Sequence, residues 1–267
     1  MYPEPAVLVR RGEPAAGVAV VTLNRPAQRN ALTVELKSAL VDELSKVSAD
    51  SSVRAVVLTG AGKSFCVGQD LREHANALRA DPVTAFDTVE RHYNPIVELL
   101  ATMPKPVIAA LNGSAAGAGL GFALACDLRL AAEGSTFATA FAAIGLTADS
   151  GLSAHLVHAL GAARATELML LGEPFSAEQA LEWGLVRAVL PVDKVLPSAL
   201  ELAGRLAAGP TAAYAEIKKA LALGAVSTLS AVLASEAQAQ ARLGLTHDHA
   251  GAVEAFLAKR QARFEGR

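Results

Sequence analysis

Cysteine is scarce in this chain: Cys66 and Cys126 are the only two in 267 residues, too few for a disulfide framework. Long apolar runs are missing as well. Hydrophobic residues make up 52% of the chain, yet no uninterrupted stretch approaches the ~18 residues that a membrane-spanning helix needs, so no membrane partner is expected. Neither sign of charge dominates. Lys and Arg number 24 against 26 Asp and Glu, and aromatics are only 4%, which leaves no basic stripe interleaved with stacking side chains for nucleic acid. A specific small ligand is the better partner, and any anionic group on it must be held locally. Met1-Tyr2-Pro3-Glu4-Pro5 has neither the basic start nor the apolar core of a secretory signal, so a cytoplasmic location is expected. The low charge and high apolar content exclude disorder, and a chain of this length can bury a substantial core.

What the chain does have is a small-residue stretch, Asn112-Gly113-Ser114-Ala115-Ala116-Gly117-Ala118-Gly119-Leu120-Gly121, running on to Cys126-Asp127. It follows the apolar run Val107–Leu111, which is short enough to be a buried strand, and it leads into a pattern suited to a closely packed helix. The first backbone N–H groups of a helix lack intrahelical partners and the dipole there favours negative charge, so an oxygen-bearing group can dock at such a turn. Tight packing alone would also explain glycines and alanines here. A second small-residue segment, Ser64-Phe65-Cys66-Val67-Gly68-Gln69-Asp70-Leu71, follows another short apolar run, Val53–Thr59. The two units share one order: strand, loop, helix.

The remaining elements fall around these two. Val7–Val9 and Val18–Leu23 read as strands joined by a turn at Gly12 and Pro14–Gly17. Thr33 is placed to cap a helix whose apolar positions Leu36, Leu40, Leu44 and Val47 share one face. Residues 72–101 read as helical, broken at Pro82 and Pro95. Leu128–Ala132 is a short strand, 135–151 a loop, and Leu152–Leu160 and Ala162–Leu171 two helices. Ser176-Ala177-Glu178-Gln179 has the form of a capping box and opens a helix through Trp183, before a short strand at Val186–Pro191. From Lys194 only helices are expected: about Val195–Ala208, Pro210–Leu223, Thr228–Leu243 and Asp248–Arg263. This reading gives an α/β core over residues 1–193 and a helical region over 194–267.

With these pieces in place the chain resembles the crotonase, or enoyl-CoA hydratase/isomerase, superfamily. The resemblance rests on Leu23-Asn24-Arg25-Pro26 with Asn30-Ala31-Leu32, on the two small-residue segments, on Leu170 through Val186, and on Gly251 through Arg260. Each is weak alone, but five in the family's order and spacing are specific. The family implies a spiral of ββα turns, a C-terminal helical trimerisation region giving a homotrimer or dimer of trimers, and acyl-coenzyme A thioesters as substrates with no tightly bound cofactor. By the same resemblance, the backbone N–H groups of Gln69 and Ala118 would hold the thioester carbonyl oxygen as it takes up enolate charge. Measured oxyanion holes put each such donor at roughly 3 kcal/mol of barrier. Binding of coenzyme A would fall to Ala27, Val67, Gly68, Asp70, Leu71 and Gly117, to Arg25 and Arg29 as phosphate partners, and to Phe256 and Lys259 across a subunit boundary.

Hydratases of this family carry two glutamates, and the matching positions here are Gly121 and Phe141. Neither can move a proton, so water addition by a pair of carboxylates is not expected. Asp149, eight residues past Phe141, stands in a loop resembling the isomerase branch that includes the ring-epoxide isomerase of phenylacetate degradation, in which a single aspartate at that place is the acid and base. A double-bond shift needs one base that takes a proton from one carbon and returns it two carbons away, and apolar neighbours would raise the carboxyl into a useful range. Alternatively Asp149 caps the helix that begins near Ser150. Asp70 and Asp127 read as backbone-fixing groups, Cys66 and Cys126 as inert buried thiols, and His155 and His158 as structural, since no third ligand is spaced to complete a metal site. Hydration by Asp149 alone and acyl-CoA binding without turnover stay open at this point.

Overall fold

The computed structural model describes residues 4–12 and 15–267, so the Pro14 part of the first expected turn and residues 1–3 lie outside the described residues. Strand β1 (Val7–Arg11) pairs antiparallel with β2 (Val18–Leu23), and β2 is followed in parallel by β3 (Ala55–Gly60), β5 (Val107–Leu111), β7 (Leu128–Ala132) and β10 (Ala188–Leu190). The short strands β4 (Ser64–Cys66), β6 (Ser114–Ala116), β8 (Thr136–Ala138) and β9 (Phe175–Ser176) form a second sheet of four. Each circuit of the chain lays one strand in each sheet and then a helix: β3, β4 and α2 (Leu71–Ala80); β5, β6 and α4 (Ala118–Ala125); β7, β8 and α5 (Leu152–Leu171). This is the ββα spiral that the resemblance implies.

Alternation within the strands explains how the large sheet is sandwiched. Ala19, Val21 and Leu23 of β2 face a core shared with α1 (Val34–Ala49), α3 (Asn94–Thr102) and α4, whereas Val18 and Val20 face the other side. On that other side α7 (Val192–Ala207) lays Val195, Ala199, Ala203 and Ala207 against the sheet. The helical region beyond residue 193 is thus of two kinds. Helix α7 packs on the sheet, while α8 (Thr211–Gly224), α9 (Leu229–Leu243) and α10 (His247–Leu257) leave Leu221, Leu229 and Phe256 exposed. Helix α8 is fastened to the core by Lys218 Nζ, 2.8 Å from Asp127 Oδ2, and Asp127 also accepts from the Val107 N–H at 2.7 Å.

Most expected elements form, and their signals are visible in the contacts. The Thr33 hydroxyl accepts from the Leu36 N–H at 3.3 Å, both halves of the Ser176–Gln179 capping box that opens α6 (Ala177–Glu182) are made, and α5 breaks at Gly161. Four details differ. Pro95 is no break, because it stands in the first turn of α3 and the chain before it enters as a π turn (Val89–Tyr93) instead of a regular α-helix. Helix α10 stops at Leu257 instead of reaching Arg263. There Lys259 takes a left-handed conformation (φ 54°) and the Arg260 N–H reaches back to the Ala255 carbonyl, a closure usually marked by glycine. Strands β6, β8 and β9 span two or three residues, too few to show a period. Helix α5 starts at Leu152 with Gly151 at its N-cap and no side-chain cap, so Asp149 does not serve as that cap.

Candidate active site

The two small-residue segments meet in space, and glycine lets them. Gly68 has φ +84°, and a side chain there would come within 2.9 Å of the Ala116 carbonyl oxygen and 3.6 Å of the Ala118 nitrogen. Gln69 forms a lone parallel bridge with Leu32: the Leu32 N–H donates to the Gly68 carbonyl at 2.8 Å and the Asp70 N–H to the Leu32 carbonyl at 3.1 Å. Successive peptide groups in such a bridge alternate sides, so the Gln69 N–H is turned away from Leu32. Ala118 is the first residue of α4, a position whose N–H has no partner within the helix. Neither N–H is bonded to backbone among the described residues. Both residues line one cavity of about 550 Å³.

That cavity also takes in Ala27, Val67, Gly68, Asp70, Leu71, Gly117 and Asp149. Phe141, the second hydratase position, lines it too, and Gln28, Ala31, Arg72, Ala140 and Ile144 join without having been expected as site residues. Arg25 and Arg29 do not line it. The Arg25 guanidinium is engaged with Asp70 Oδ2 at 3.1 Å and the Ala31 carbonyl at 2.5 Å, and Arg29 is exposed in a left-handed turn. Phe256 and Lys259 are exposed on or just past α10, outside this chain's cavity. Asp70 is held by its neighbours: burial pushes its carboxyl up, but the Glu73 and Arg72 N–H groups and Arg25 outweigh this and leave it below the ordinary carboxylate range.

Asp149 is the other carboxylate of the cavity, and its surroundings push it in the opposite direction. Burial raises its carboxyl above the usual value, against the Ser150 hydroxyl, which donates to Oδ1 at 2.8 Å, and the charge of Lys37. It stands where the main cavity joins a small apolar chamber of about 60 Å³ walled by His74, Phe86, Val89, Tyr93 and Leu146. Ser150 (φ 54°) and Gly151 (φ 67°) are both left-handed, which turns the chain sharply between Asp149 and α5. The turn brings Ser150 hard against α4. A Cβ on Gly121 would lie 2.6 Å from Ser150 Cβ and 2.8 Å from its carbonyl oxygen, closer than real Cβ atoms come.

Behind the Gln69 loop lies a group that the sequence reading passed over. Lys37 of α1 is fully buried, and its Nζ donates to Gln69 Oε1 at 3.1 Å and Thr88 Oγ1 at 2.6 Å. Its one available signal was position, since Lys37, Leu40, Leu44 and Val47 form a single helical stripe with a cation at its head. Asn30 is likewise fully buried. It accepts from the Arg25 N–H and reaches the Ala61, Ser64 and Phe65 carbonyls, so it ties the first loop to β4. The Cys66 and Cys126 thiols are buried and pushed up to about 12 by burial, which leaves them unreactive.

Residues 13–267 match the family model for enoyl-CoA hydratase/isomerase. The chain belongs to that family. Over 252 residues it is 42% identical to the 1,2-epoxyphenylacetyl-CoA isomerase of Escherichia coli K12, covering 94% of this chain and 96% of that protein. The 2,3-dehydroadipyl-CoA hydratase of the same organism is 38% identical, with 94% and 96% covered. A solved Mycobacterium abscessus structure described under the enoyl-CoA hydratase/isomerase heading superposes with a TM-score of 0.93 at 50% identity, covering 98% of this chain and all of that one. The enzyme accordingly has the crotonase fold and the acyl-CoA hydratase/isomerase activity of its family. No helix among its described residues is long and apolar enough to cross a membrane.

Proposed function

We propose that this enzyme isomerises an unsaturated or ring-bearing acyl-CoA by proton transfer through Asp149 alone. The observation that carries the proposal is the contact between Gly121 and Ser150. The position at which a hydratase would present a glutamate has no room for a side chain, because the turn that presents Asp149 occupies that space. The second hydratase position is Phe141, an apolar wall of the cavity. One carboxylate in an apolar setting suits a 1,3-proton shift better than addition of water between two carboxylates. The 42% identity with an epoxyphenylacetyl-CoA isomerase supports the same reading.

In this mechanism the Gln69 and Ala118 N–H groups hold the thioester oxygen. Asp149 removes the α-proton, the C–H electron pair passes into the dienolate, and the electrons return as Asp149 delivers the proton to the γ-carbon. The coenzyme A moiety would lie along Ala27, Val67, Gly68, Leu71 and Gly117, with the exposed Arg72 at the cavity rim as a partner for its phosphates. Exposed apolar side chains such as Leu170, Leu171, Leu221 and Phe256 favour burial between copies of the chain in a homotrimer or dimer of trimers. In such an assembly Phe256 and Lys259 would serve a neighbour's coenzyme A. The decisive variant is Asp149→Asn: conversion of 3-enoyl-CoA should fall at least about 100-fold, the low end of general acid–base contributions, with thioester affinity retained by calorimetry. Undiminished turnover in that variant would refute the mechanism.

A further inference from the structure

A buried cation with no ion-pair partner is costly, because burial strips its hydration and only hydrogen bonds compensate. Lys37 is such a group. It is fully buried, none of the ion pairs among the described residues involves it, and its contacts are neutral: the Gln69 side-chain carbonyl, the Thr88 hydroxyl and the face of Tyr93, 5.0 Å from Nζ to the ring centroid. An apolar side chain of similar length would fill the place at less cost. Both oxygens would keep a partner, since the Tyr93 hydroxyl also donates to Gln69 Oε1 and Thr88 Oγ1 also bonds His92 Nδ1 at 3.1 Å. Packing therefore does not account for the lysine.

Its location does. Gln69, which lines the cavity and whose backbone N–H is turned away from Leu32, is gripped by Lys37 and Tyr93 through one side-chain oxygen. Gln69, Tyr93 and Asp149 all line the small chamber, with Lys37 immediately behind its wall. We propose that Lys37 is a positioning residue of the reaction site, holding Gln69 so that its peptide N–H faces the thioester oxygen and setting a positive charge behind the wall that faces Asp149. This rests on the single-carboxylate reading above. The charge opposes the effect of burial on the Asp149 carboxyl and keeps its conjugate base available. The other charged or titratable groups around Lys37 are Asp70 and Glu73 from the N-cap and first turn of α2, and His92 and Tyr93 from the π turn.

The test compares Lys37→Met and Lys37→Gln with the wild type, using 3-enoyl-CoA as substrate. Lys37→Met should melt no lower than the wild type while kcat falls at least 30-fold, KM stays within three-fold, and the acid limb of kcat/KM moves to higher pH. Lys37→Gln can still donate to Gln69, so it should recover part of kcat while its acid limb remains displaced. Wild-type kcat in a folded variant, or a loss of kcat with an unmoved acid limb, would overturn the proposal. If Lys37→Met does not fold, the structural explanation of the lysine is correct and the proposal fails. Asp149→Asn assayed alongside separates the two claims. If that variant is inactive while the Lys37 variants behave as wild type, only the inference about Lys37 falls; if it is active, the single-carboxylate reading falls.

Discussion

At the scale of single residues, the candidate site holds two carboxylates that line one cavity and are driven apart in proton affinity. Asp70 is tied to Arg25 and to the first N–H groups of α2, which keeps it ionised and structural. Asp149 has one hydroxyl donor and the more distant charge of Lys37, and burial prevails over both, so its carboxyl is raised. In the proposed mechanism the base form does the work, so kcat/KM should fall on the acid side with a midpoint above the ordinary ~4 of an aspartate. A pH–rate profile flat down to pH 4 would contradict this. Stability carries the same sign. The folded-state value lies above the unfolded one, so wild-type stability from this group is complete below the unfolded value and is lost as pH rises through the folded one. Asp149→Asn escapes that loss and should melt above the wild type at neutral pH, with the gap narrowing toward pH 4 in scanning calorimetry.

At the scale of elements, helix α4 and the turn before α5 form one unit through Gly121 and Ser150. Gly121→Ala puts a methyl group where Ser150 already stands, and overpacking of this kind costs about 1–3 kcal/mol. The turn bearing Asp149 must shift, so the variant should lose activity well beyond its loss of stability; a fully active Gly121→Ala enzyme would show that the contact does not set the position of Asp149. Much of this unit was legible in the sequence. The strand–loop–helix order around Gly68 and Gly117 and the capping residues Thr33 and Ser176 came from local chemistry, while Asp149 was singled out by the resemblance to the isomerase branch. The sequence did not disclose what depends on distant contacts. Lys37 drew no notice in the sequence, and only the fold reveals that it lies behind Gln69, 32 residues away along the chain. Arg25 looked like a free phosphate ligand until Asp70 was found beside it.

At the scale of the whole molecule, the spiral puts two loops from successive circuits side by side, and that is what brings Gln69 and Ala118 to one cavity. The large sheet with α7 packed behind it is the backing, and α8–α10 leave apolar side chains exposed, the face that the proposed assembly would bury. Strands of two or three residues and a helix ended by lysine in place of glycine were invisible in the sequence because their stability comes from neighbours, not from pattern. The fold supports either chemistry of its family, and the site chooses between them. The choice is tested most directly by giving the wild-type enzyme 3-enoyl-CoA and 2-enoyl-CoA separately and identifying the products by NMR. The single-carboxylate account predicts a double-bond shift with 3-enoyl-CoA and no accumulation of 3-hydroxyacyl-CoA from either substrate. Water addition to 2-enoyl-CoA at a rate matching or exceeding the double-bond shift would contradict it.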